Sequence, residues 1–298
     1  MQVRRHPEPA MRPSASWQQN IGAGGWTELD ASDPATAWLR RLGEPDISGP
    51  GSGLPFQPLS YRDCMLYRRH WIDSSRGYAR RFLPAAYHIS RVYESVLRSP
   101  FPAFRPPALW HRQPIYYFGN HLTFVPSGTP VSKPDYTQAL DFELELAWVL
   151  SKPLFNASPE DAEDAIGAFL VLNDFSARDV QRVEMQTGLG PQKSKHFLTS
   201  LSRTMTTSDD ILPRVQSLTA RVEINGQTVC KTSTAGMKFS PGQVLAHLSR
   251  SEHLYPGELI ASGTLPGGSG MELGRWIQPG DHLRLLIDGV GEVEHTIV

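Results

Sequence analysis

The segment LDFELELAWVL at residues 140–150 alternates like a β-strand that is buried on both faces. One face carries only large apolar side chains: Phe142, Leu144, Leu146, Trp148 and Leu150. The other face carries two acids followed by two apolar residues: Glu143, Glu145, Ala147 and Val149. Ala147 and Val149 are not typical of a solvated sheet face, and two nearby like charges repel unless a positive charge lies between them. The pattern therefore predicts a buried strand whose carboxylates need a cationic partner, against the simpler alternative of a solvated face.

Turn signals divide the second half of the chain into short strands. VEINGQTV contains Asn225-Gly226 between alternating apolar residues, which predicts a two-residue hairpin. LRLLIDGVGEVEHTI predicts a second hairpin at Asp288-Gly289. Residues 98–114 contain too many prolines for a helix and are predicted as loop or extended chain.

Few helices are predicted. One begins at Ser158-Pro159, with acids in its first turn, and runs to about Gly167. Another begins at Ser240-Pro241, with Gln243 placed for a capping box. Many short strands with few short helices predict a compact, β-rich α+β fold.

The N-terminal segment, residues 1–58, has the composition of an arm and linker. It is rich in Pro, Gly and Ser, with one short helix predicted in ATAWLRRLG at residues 35–43. We therefore divide the chain into this segment and a main domain at 59–298, and expect a protein that lacks residues 1–50 to fold.

Composition excludes several functional classes. The 298 residues carry a net charge of −1 without a long basic run, which argues against nucleic acid as a partner. No apolar run resembles a secretory signal or a membrane span, so a cytoplasmic protein is expected. The two cysteines, Cys64 and Cys230, are far apart and indicate neither a disulfide framework nor a thiolate zinc site.

Three carboxylates are candidate ligands for one divalent cation. Asp174 follows the apolar run AFLVL, which predicts a buried strand that delivers it beside Glu143 and Glu145. Side chains two residues apart on a strand are about 6–7 Å apart at Cα, so one cation can lie between their oxygens. Carboxylates without His or Cys favour Mg²⁺, Ca²⁺ or Mn²⁺ over zinc. The alternative is that Asp174 forms a surface ion pair with Arg178, four residues later.

Four motifs together resemble the fumarylacetoacetate hydrolase family. They are LDFELELAWVL, LNDFSARDVQ, GLGPQKSKHFLTSL and ASGTLPGGSGMELG, and the resemblance covers about residues 60–298. Upstream, YRDCMLYRRH at 61–70 is similar to the segment in which these enzymes have a further metal carboxylate and a catalytic histidine.

The resemblance implies a role for each matching residue. The metal ligands would be Asp63, Glu143, Glu145 and Asp174. His70 would be the general base, oriented by Glu272, and Lys195 would stabilise negative charge. The residues that would bind the substrate are Tyr117, Arg178, Gln181 and Thr264.

The resemblance also implies a fold and a chemistry. The fold would be a mixed β-sandwich roll, usually dimeric, with one divalent cation, for which Mg²⁺ is the first choice and Ca²⁺ or Mn²⁺ the alternatives. The reaction would be hydrolysis of a carbon–carbon bond in a β-diketo acid such as fumarylacetoacetate or an acylpyruvate, by a water that His70 and Glu272 activate. The alternatives are decarboxylation, isomerisation or tautomerisation of a related oxo-acid, or a non-catalytic binding protein with the same fold.

Two departures from the family pattern affect these expectations. Residues 1–58 are too short and too rich in Pro and Gly for a complete small barrel domain. Leu198 replaces a smaller residue, and Ser202-Arg203 stands where relatives often have Gly-Pro. Leu198 is therefore predicted to crowd the floor of the site and to alter the choice of substrate.

Overall fold

The computed structural model describes residues 1–6, 16–23, 25–30, 33, 36–44 and 53–298. Within the predicted arm and linker, residues 45–52 lie outside this range. The described strands are β1 (Gln2–Arg5), β2 (Trp17–Asn20), β3 (Trp26–Glu28), β4 (Ser60–Cys64), β5 (Tyr116–Phe118), β6 (Phe124–Pro126), β7 (Leu140–Asp141), β8 (Glu143–Leu150), β9 (Ile166–Asp174), β10 (Ser176–Ala177), β11 (Thr199–Leu201), β12 (Met205–Thr207), β13 (Thr219–Ile224), β14 (Gln227–Ser233), β15 (Glu258–Ser269), β16 (His282–Ile287) and β17 (Gly291–Thr296). The described α-helices are α1 (Arg68–Phe82), α2 (Pro84–Leu97), α3 (Pro159–Glu163), α4 (Arg178–Glu184), α5 (Ser208–Ile211), α6 (Pro241–Leu248) and α7 (Gly270–Leu273).

Three sheets organise these strands. The largest has eleven strands in the path β3-β2-β1-β12-β9-β8-β15-β4-β5, with β11 and β6 joined to β9 beside this path. A second sheet has the order β14-β13-β16-β17, and β10 pairs with β7 in a third. This β-rich α+β architecture confirms the predicted fold class.

Strand β8 is the centre of the large sheet and is buried on both faces. It pairs antiparallel with β9 on one side and with β15 on the other. Its four large apolar side chains, Leu144, Leu146, Trp148 and Leu150, and Phe142 just before it belong to the main hydrophobic core, which the four-stranded sheet also lines. Ala147 and Val149 lie in a second core on the opposite face. The two-faced burial that the alternation predicted is therefore confirmed.

The local turn predictions are also confirmed. Asn225 and Gly226 have φ of 54° and 75° and connect β13 to β14, and Asp288 lies in the turn between β16 and β17. Helix α6 has the complete capping box of Ser240 and Gln243. Helix α3 begins as predicted but ends four residues early, at Glu163, because the buried strand β9 begins at Ile166.

The structure contains two longer helices, α1 and α2, that were not predicted from the sequence. Only four residues of α1 are buried: His70, Ile72, Gly77 and Ala79. Helix α2 buries only Ser90. An amphipathic helix is recognised by its apolar stripe. The sequence of α2 has such a stripe at Ile89, Val92, Val96 and Leu97, but the structure leaves these side chains exposed.

The N-terminal segment packs against the large sheet. Strand β1 pairs with β12 and β2, and β2 pairs with β3. Val3, Trp17, Leu39 and Phe56 are buried in the second core. The predicted short helix is a 3-10 helix at Ala37–Arg41. The domain division at residue 58 stays a prediction, but these contacts make us expect that deleting the segment destabilises the protein.

We expect Trp17→Ala to lower the free energy of unfolding by about 3 kcal/mol, because the indole is only 5% exposed and fills part of the second core. Urea denaturation of the two proteins measures this difference. Ile21→Ala is the control, since Ile21 is 66% exposed and should change stability by less than about 0.5 kcal/mol. An equally small effect of Trp17→Ala would show that the segment contributes little to the core.

The buried histidine His295 gives the stability of the protein a pH dependence. His295 donates from Nδ1 to the Thr129 carbonyl at 2.7 Å, and its Nε2 accepts from the Ser200 hydroxyl at 2.8 Å. Burial lowers the pKa of His295 to about 4. Because this pKa is lower in the folded than in the unfolded protein, the stability it contributes is present above about pH 6.5 and is lost as the pH falls towards 4.

This loss should reach about 3 kcal/mol between pH 6.5 and pH 4, from a pKa difference of about 2.5 units between the unfolded and folded states. His295→Gln keeps one donor and one acceptor but does not titrate. Urea denaturation across this range should therefore show a shallower loss of stability in His295→Gln. If the free energy of unfolding falls equally with pH in the two proteins, His295 is not the cause of the pH dependence.

Candidate active site

Four buried carboxylates meet at one place on the large sheet. Glu143 and Glu145 lie on β8, Asp174 ends β9, and Asp63 lies on β4, which β15 separates from β8. One ligand oxygen from each of the four lies within 4.8 Å of the others. Asp174 is thus delivered by a buried strand, and it is Lys195, not Arg178, that forms its ion pair. The sequence predicted all four as metal ligands, and that role stays a prediction.

The oxygens of this cluster fit a hard divalent cation. Asp63 Oδ1, Glu145 Oε2 and Asp174 Oδ1 are buried and accept no hydrogen bond from the described residues. Such orphaned buried oxygens are costly unless a cation or another donor satisfies them. Burial, together with the charge of Asp174, raises the pKa of Asp63, and burial and Asp63 raise that of Glu145. The cluster therefore has uncompensated negative charge at the position where a cation would bind.

Glu143 differs from the other three because two cations contact it. Arg178 donates from Nη2 to Glu143 Oε1 at 2.6 Å, and Lys195 donates to Glu143 Oε2. Burial alone would raise the pKa of Glu143, but Arg178 and Lys195 outweigh burial and hold it well below its usual range. Lys195 also donates to Asp174 Oδ2 at 2.5 Å. Burial would lower the pKa of Lys195, but Asp174 and Glu143 raise it, so the ammonium stays charged.

Asp141 supports this arrangement and was not found from the sequence. Its Oδ2 accepts from Arg178 Nε at 2.7 Å, and its Oδ1 accepts from the Gly270 backbone N–H at 2.7 Å. Asp141 thereby connects the start of α4 to the start of α7. The available signal was its position two residues before Glu143, in phase with both glutamates.

His70 and Glu272 form a buried pair at the edge of the cluster. His70 Nδ1 lies 2.9 Å from Glu272 Oε2, and both side chains are at most 3% exposed. The approach of α1 to α7 depends on Gly77, where a Cβ would lie 2.1 Å from the Met271 carbonyl oxygen. Ser269 Oγ donates to Glu272 Oε2, and the Gly267 backbone N–H donates to Oε1. A carboxylate only accepts, so Nδ1 carries the hydrogen and Nε2 is left to take a proton.

A cavity of about 680 Å³ opens onto the cluster. The predicted site residues on its wall are Asp63, His70, Tyr117, Glu143, Glu145, Arg178, Gln181, Lys195 and Thr264. Asp174 and Glu272 lie behind this wall, each in contact with a residue on it.

The predicted substrate-binding residues are held by the same network. Tyr117 donates its hydroxyl to Asp174 Oδ2 at 2.5 Å. Gln181 accepts from Arg178 Nη1 at 2.9 Å. Thr264 pairs with Glu145 across β8 and β15, and its hydroxyl lies 3.4 Å from the carboxylate. The structure thus brings these residues together, and their contacts to a substrate stay predictions.

The predicted crowding by Leu198 is wrong. Leu198 is not on the cavity wall but packs, partly buried, against the main core. Ser202 accepts from the Val171 backbone N–H, and Arg203 donates to the Ser127 carbonyl, so both support β9 and β6 away from the cavity. The position of Leu198 in the sequence motif did not reveal which face of its segment turns inward.

Comparisons with known proteins identify relatives over most of the chain. The family model of the fumarylacetoacetate (FAA) hydrolase C-terminal domain matches residues 86–298. A bifunctional isomerase/decarboxylase of 4-hydroxyphenylacetate degradation from Escherichia coli is 30% identical over 65% of this chain and 43% of its own length. A mitochondrial oxaloacetate tautomerase from Bos taurus is 29% identical over 57% of this chain and 77% of its own. The chain thus spans less than half the length of the first of these relatives.

Solved structures share the fold. A fumarylacetoacetate hydrolase from Exiguobacterium antarcticum has a TM-score of 0.69 and 20% identity, over 100% of this chain and 99% of its own. A fumarylpyruvate hydrolase from Pseudomonas aeruginosa, solved with Mn²⁺ and pyruvate, has a TM-score of 0.61 and 19% identity, over 82% of this chain and 97% of its own. Among the described residues, none of the helices has the length and apolar character required to cross a membrane.

Proposed function

The chain belongs to the fumarylacetoacetate hydrolase family, and we propose that it is a divalent-metal-dependent hydrolase of 2,4-dioxo acids. The bond that breaks joins the acyl carbon to the methylene group of the pyruvate half. The oxygen of water goes to the acyl carbon, and a proton goes to the methylene carbon. The products are a carboxylic acid and pyruvate.

The single observation that carries this proposal is the His70–Glu272 pair beside the carboxylate cluster. A water-activating base needs an acceptor nitrogen in the cavity and a partner that fixes the ring. Glu272 Oε2 lies 2.9 Å from His70 Nδ1 and accepts its hydrogen. Nε2 of His70 forms no hydrogen bond with a described residue. His70 would take the proton of the attacking water at Nε2 and return it to the methylene carbon of the leaving group. Glu272 would stabilise the charged ring between these two events.

Asp63, Glu143, Glu145 and Asp174 would hold the cation, for which we propose Mg²⁺, with Mn²⁺ and Ca²⁺ as alternatives. When bound there, the cation supplies Lewis acidity that polarises the two carbonyl oxygens of a 1,3-dicarbonyl. The Pseudomonas neighbour, whose structure holds Mn²⁺ and pyruvate, supports a divalent ion at this site and pyruvate as a product.

The remaining polar residues would position the substrate. Lys195, whose ammonium is fixed by Glu143 and Asp174, and the Arg178 guanidinium would stabilise negative charge on the departing half. Tyr117, Gln181 and Thr264 would hydrogen-bond the dioxo-acid oxygens, with Thr264 on the carboxylate. A homodimeric state and a cytoplasmic location are further proposals, made from the family resemblance.

A second candidate is tautomerisation or decarboxylation of an oxo-acid at the same site. The specific support is the similarity to an oxaloacetate tautomerase and to an isomerase/decarboxylase. Tautomerisation would move a proton between carbon and oxygen, and decarboxylation would release CO₂ and protonate the enolate carbon, in each case without a water activated by His70. A non-catalytic binding protein is the third alternative, and the intact His70–Glu272 pair argues against it.

The test is an assay of the metal-loaded protein on a panel of 2,4-dioxo acids and oxaloacetate. Loss of enol absorbance is followed, and products are identified by mass spectrometry. Equal amounts of pyruvate and a second carboxylic acid support hydrolysis. Loss of enol without cleavage, or release of CO₂, supports the second candidate. Binding without any turnover of the panel contradicts both catalytic proposals.

A further inference from the structure

The cavity follows helix α1 away from the chemistry. The α1 residues on its wall come in pairs one turn apart: His70 and Trp71, Ser74 and Ser75, Tyr78 and Ala79. Ala79 lies nine positions after His70, which corresponds to about 13 Å along the helix axis. Leu83 and Ala86 continue the wall into α2. The cavity therefore has a proximal end at His70 and a distal end near Leu83.

The charged residues of this wall all lie at the proximal end. The acids and the two cations, Arg178 and Lys195, are tied together around Glu143. The distal wall is built from aromatic and aliphatic side chains: Tyr78, Ala79, Leu83, Ala86, Phe101, Ala103, Phe104 and Met185. Phe104 and Phe101 also pack with Ile72 and Ala79 in a small separate core, which fixes this end of the wall.

Four of the five arginines of α1 face a different cavity, and the fifth, Arg81, is exposed and lines neither cavity. Arg68, Arg69, Arg76 and Arg80 line this second cavity, on the opposite face of the helix. Arg76 is moreover paired with Asp73 and Glu94. Within the described part of the chain, no cation on the wall of the active-site cavity lies at its distal end. A second carboxylate at that end would have no partner on the wall.

We propose that the substrate is a monocarboxylic 2,4-dioxo acid whose acyl group is large and apolar, such as an aryl or extended alkyl ketone, and not a dicarboxylic acid. This inference rests on the proposed function, since the dioxo-acid head occupies the proximal end. A cavity of about 680 Å³ is the size of pockets that enclose drug-sized molecules. Burying an aryl group against the distal wall is favourable, whereas burying an unpaired carboxylate there is costly.

Three substrates of the same head group test the inference: a phenyl ketone, a methyl ketone and fumarylpyruvate, which carries a second carboxylate. We expect kcat/KM for the phenyl ketone to exceed that for the methyl ketone by about 10- to 100-fold. It should exceed that for fumarylpyruvate by at least about 100-fold. The affinity of the metal-loaded protein for each acid is measured in parallel by calorimetry.

A matched pair of variants tests whether the distal end of the cavity sets the preference between these substrates. Ala86 is exposed at the distal mouth and lines the cavity, whereas its neighbour Ala85 is exposed but does not line it. Ala86→Arg adds a cation at the distal end and should shift the preference towards fumarylpyruvate by about 10-fold or more. Ala85→Arg adds the same charge to the same helix and should leave the preference within about twofold of the unchanged protein.

The outcomes separate the inference from the proposed function. If dioxo acids are cleaved but fumarylpyruvate equals or exceeds the phenyl ketone, the substrate class is wrong and the hydrolase proposal stands. If none is turned over, the hydrolase proposal fails, and the affinities decide the inference. Tighter binding of the phenyl ketone then supports it, and equal or weaker binding overturns it. An equal shift in the two arginine variants also overturns it.

Discussion

Glu145→Gln should weaken the affinity for a divalent cation by at least about 100-fold and lower turnover by a similar factor. The side chain is fully buried, and its Oε2 accepts no hydrogen bond from the described residues. Burial and the charge of Asp63 raise the pKa of Glu145, so the metal-free cluster is destabilised by its own charge. The glutamine keeps the shape but removes that charge. The metal-free variant should therefore be as stable as the unchanged protein, or more stable.

Two measurements distinguish this result from simple damage to the fold. Calorimetry with Mn²⁺ gives the affinity, and thermal unfolding gives the rise in Tm on adding the ion, which mass action predicts for a ligand of the folded state. Glu143 is a less clean choice, since removing its charge would also leave Arg178 and Lys195 without a partner. Glu258→Gln is the matched control, because Glu258 is another buried glutamate but is paired with Arg62 outside the cluster. Tight metal binding by Glu145→Gln would contradict the proposed ligand set.

Local patterns in the sequence predicted those parts of the site that local geometry builds. Strict alternation placed Glu143 and Glu145 on one face of β8, because side chains two residues apart share a face in any strand. The apolar run before Asp174 correctly indicated that a buried strand delivers it. The same alternation included Asp141, but nothing local showed that this acid would hold Arg178 and α7 in place of a cation.

Contacts between distant residues required more than a local pattern. His70 and Glu272 are 202 residues apart, and their meeting was anticipated only from the resemblance to a family. Composition also gave no indication of the contacts that the N-terminal segment makes with the large sheet. Its prolines and glycines indicated an arm, yet Trp17 packs in the second core because β1 and β2 extend the large sheet from β12. Strand pairing at such a distance leaves no periodic signal in the segment itself.

His70→Ala should lower turnover by about 10²- to 10⁴-fold, the usual effect of removing a positioned general base. Affinity for the cation should stay close to that of the unchanged protein, because His70 contacts Glu272 and is not one of the four clustered carboxylates. The measurement is kcat on the best dioxo acid, together with Mn²⁺ affinity by calorimetry. His282→Ala is the control, since His282 is 48% exposed on β16 and should retain full activity.

The partner of His70 gives the sharper test of how the pair acts. Glu272→Gln should cause a smaller defect, of about 10- to 100-fold, because the amide still accepts from Nδ1–H but no longer stabilises a charged ring. The double variant should lose little beyond His70→Ala alone, since groups that act as one unit are strongly non-additive. If the two defects instead multiply, Glu272 has an independent function, such as holding α7 to the end of β15 through its bonds from Gly267 and Ser269. Near-complete activity of His70→Ala would show that another group moves the proton, which would favour the tautomerase over the hydrolase proposed here.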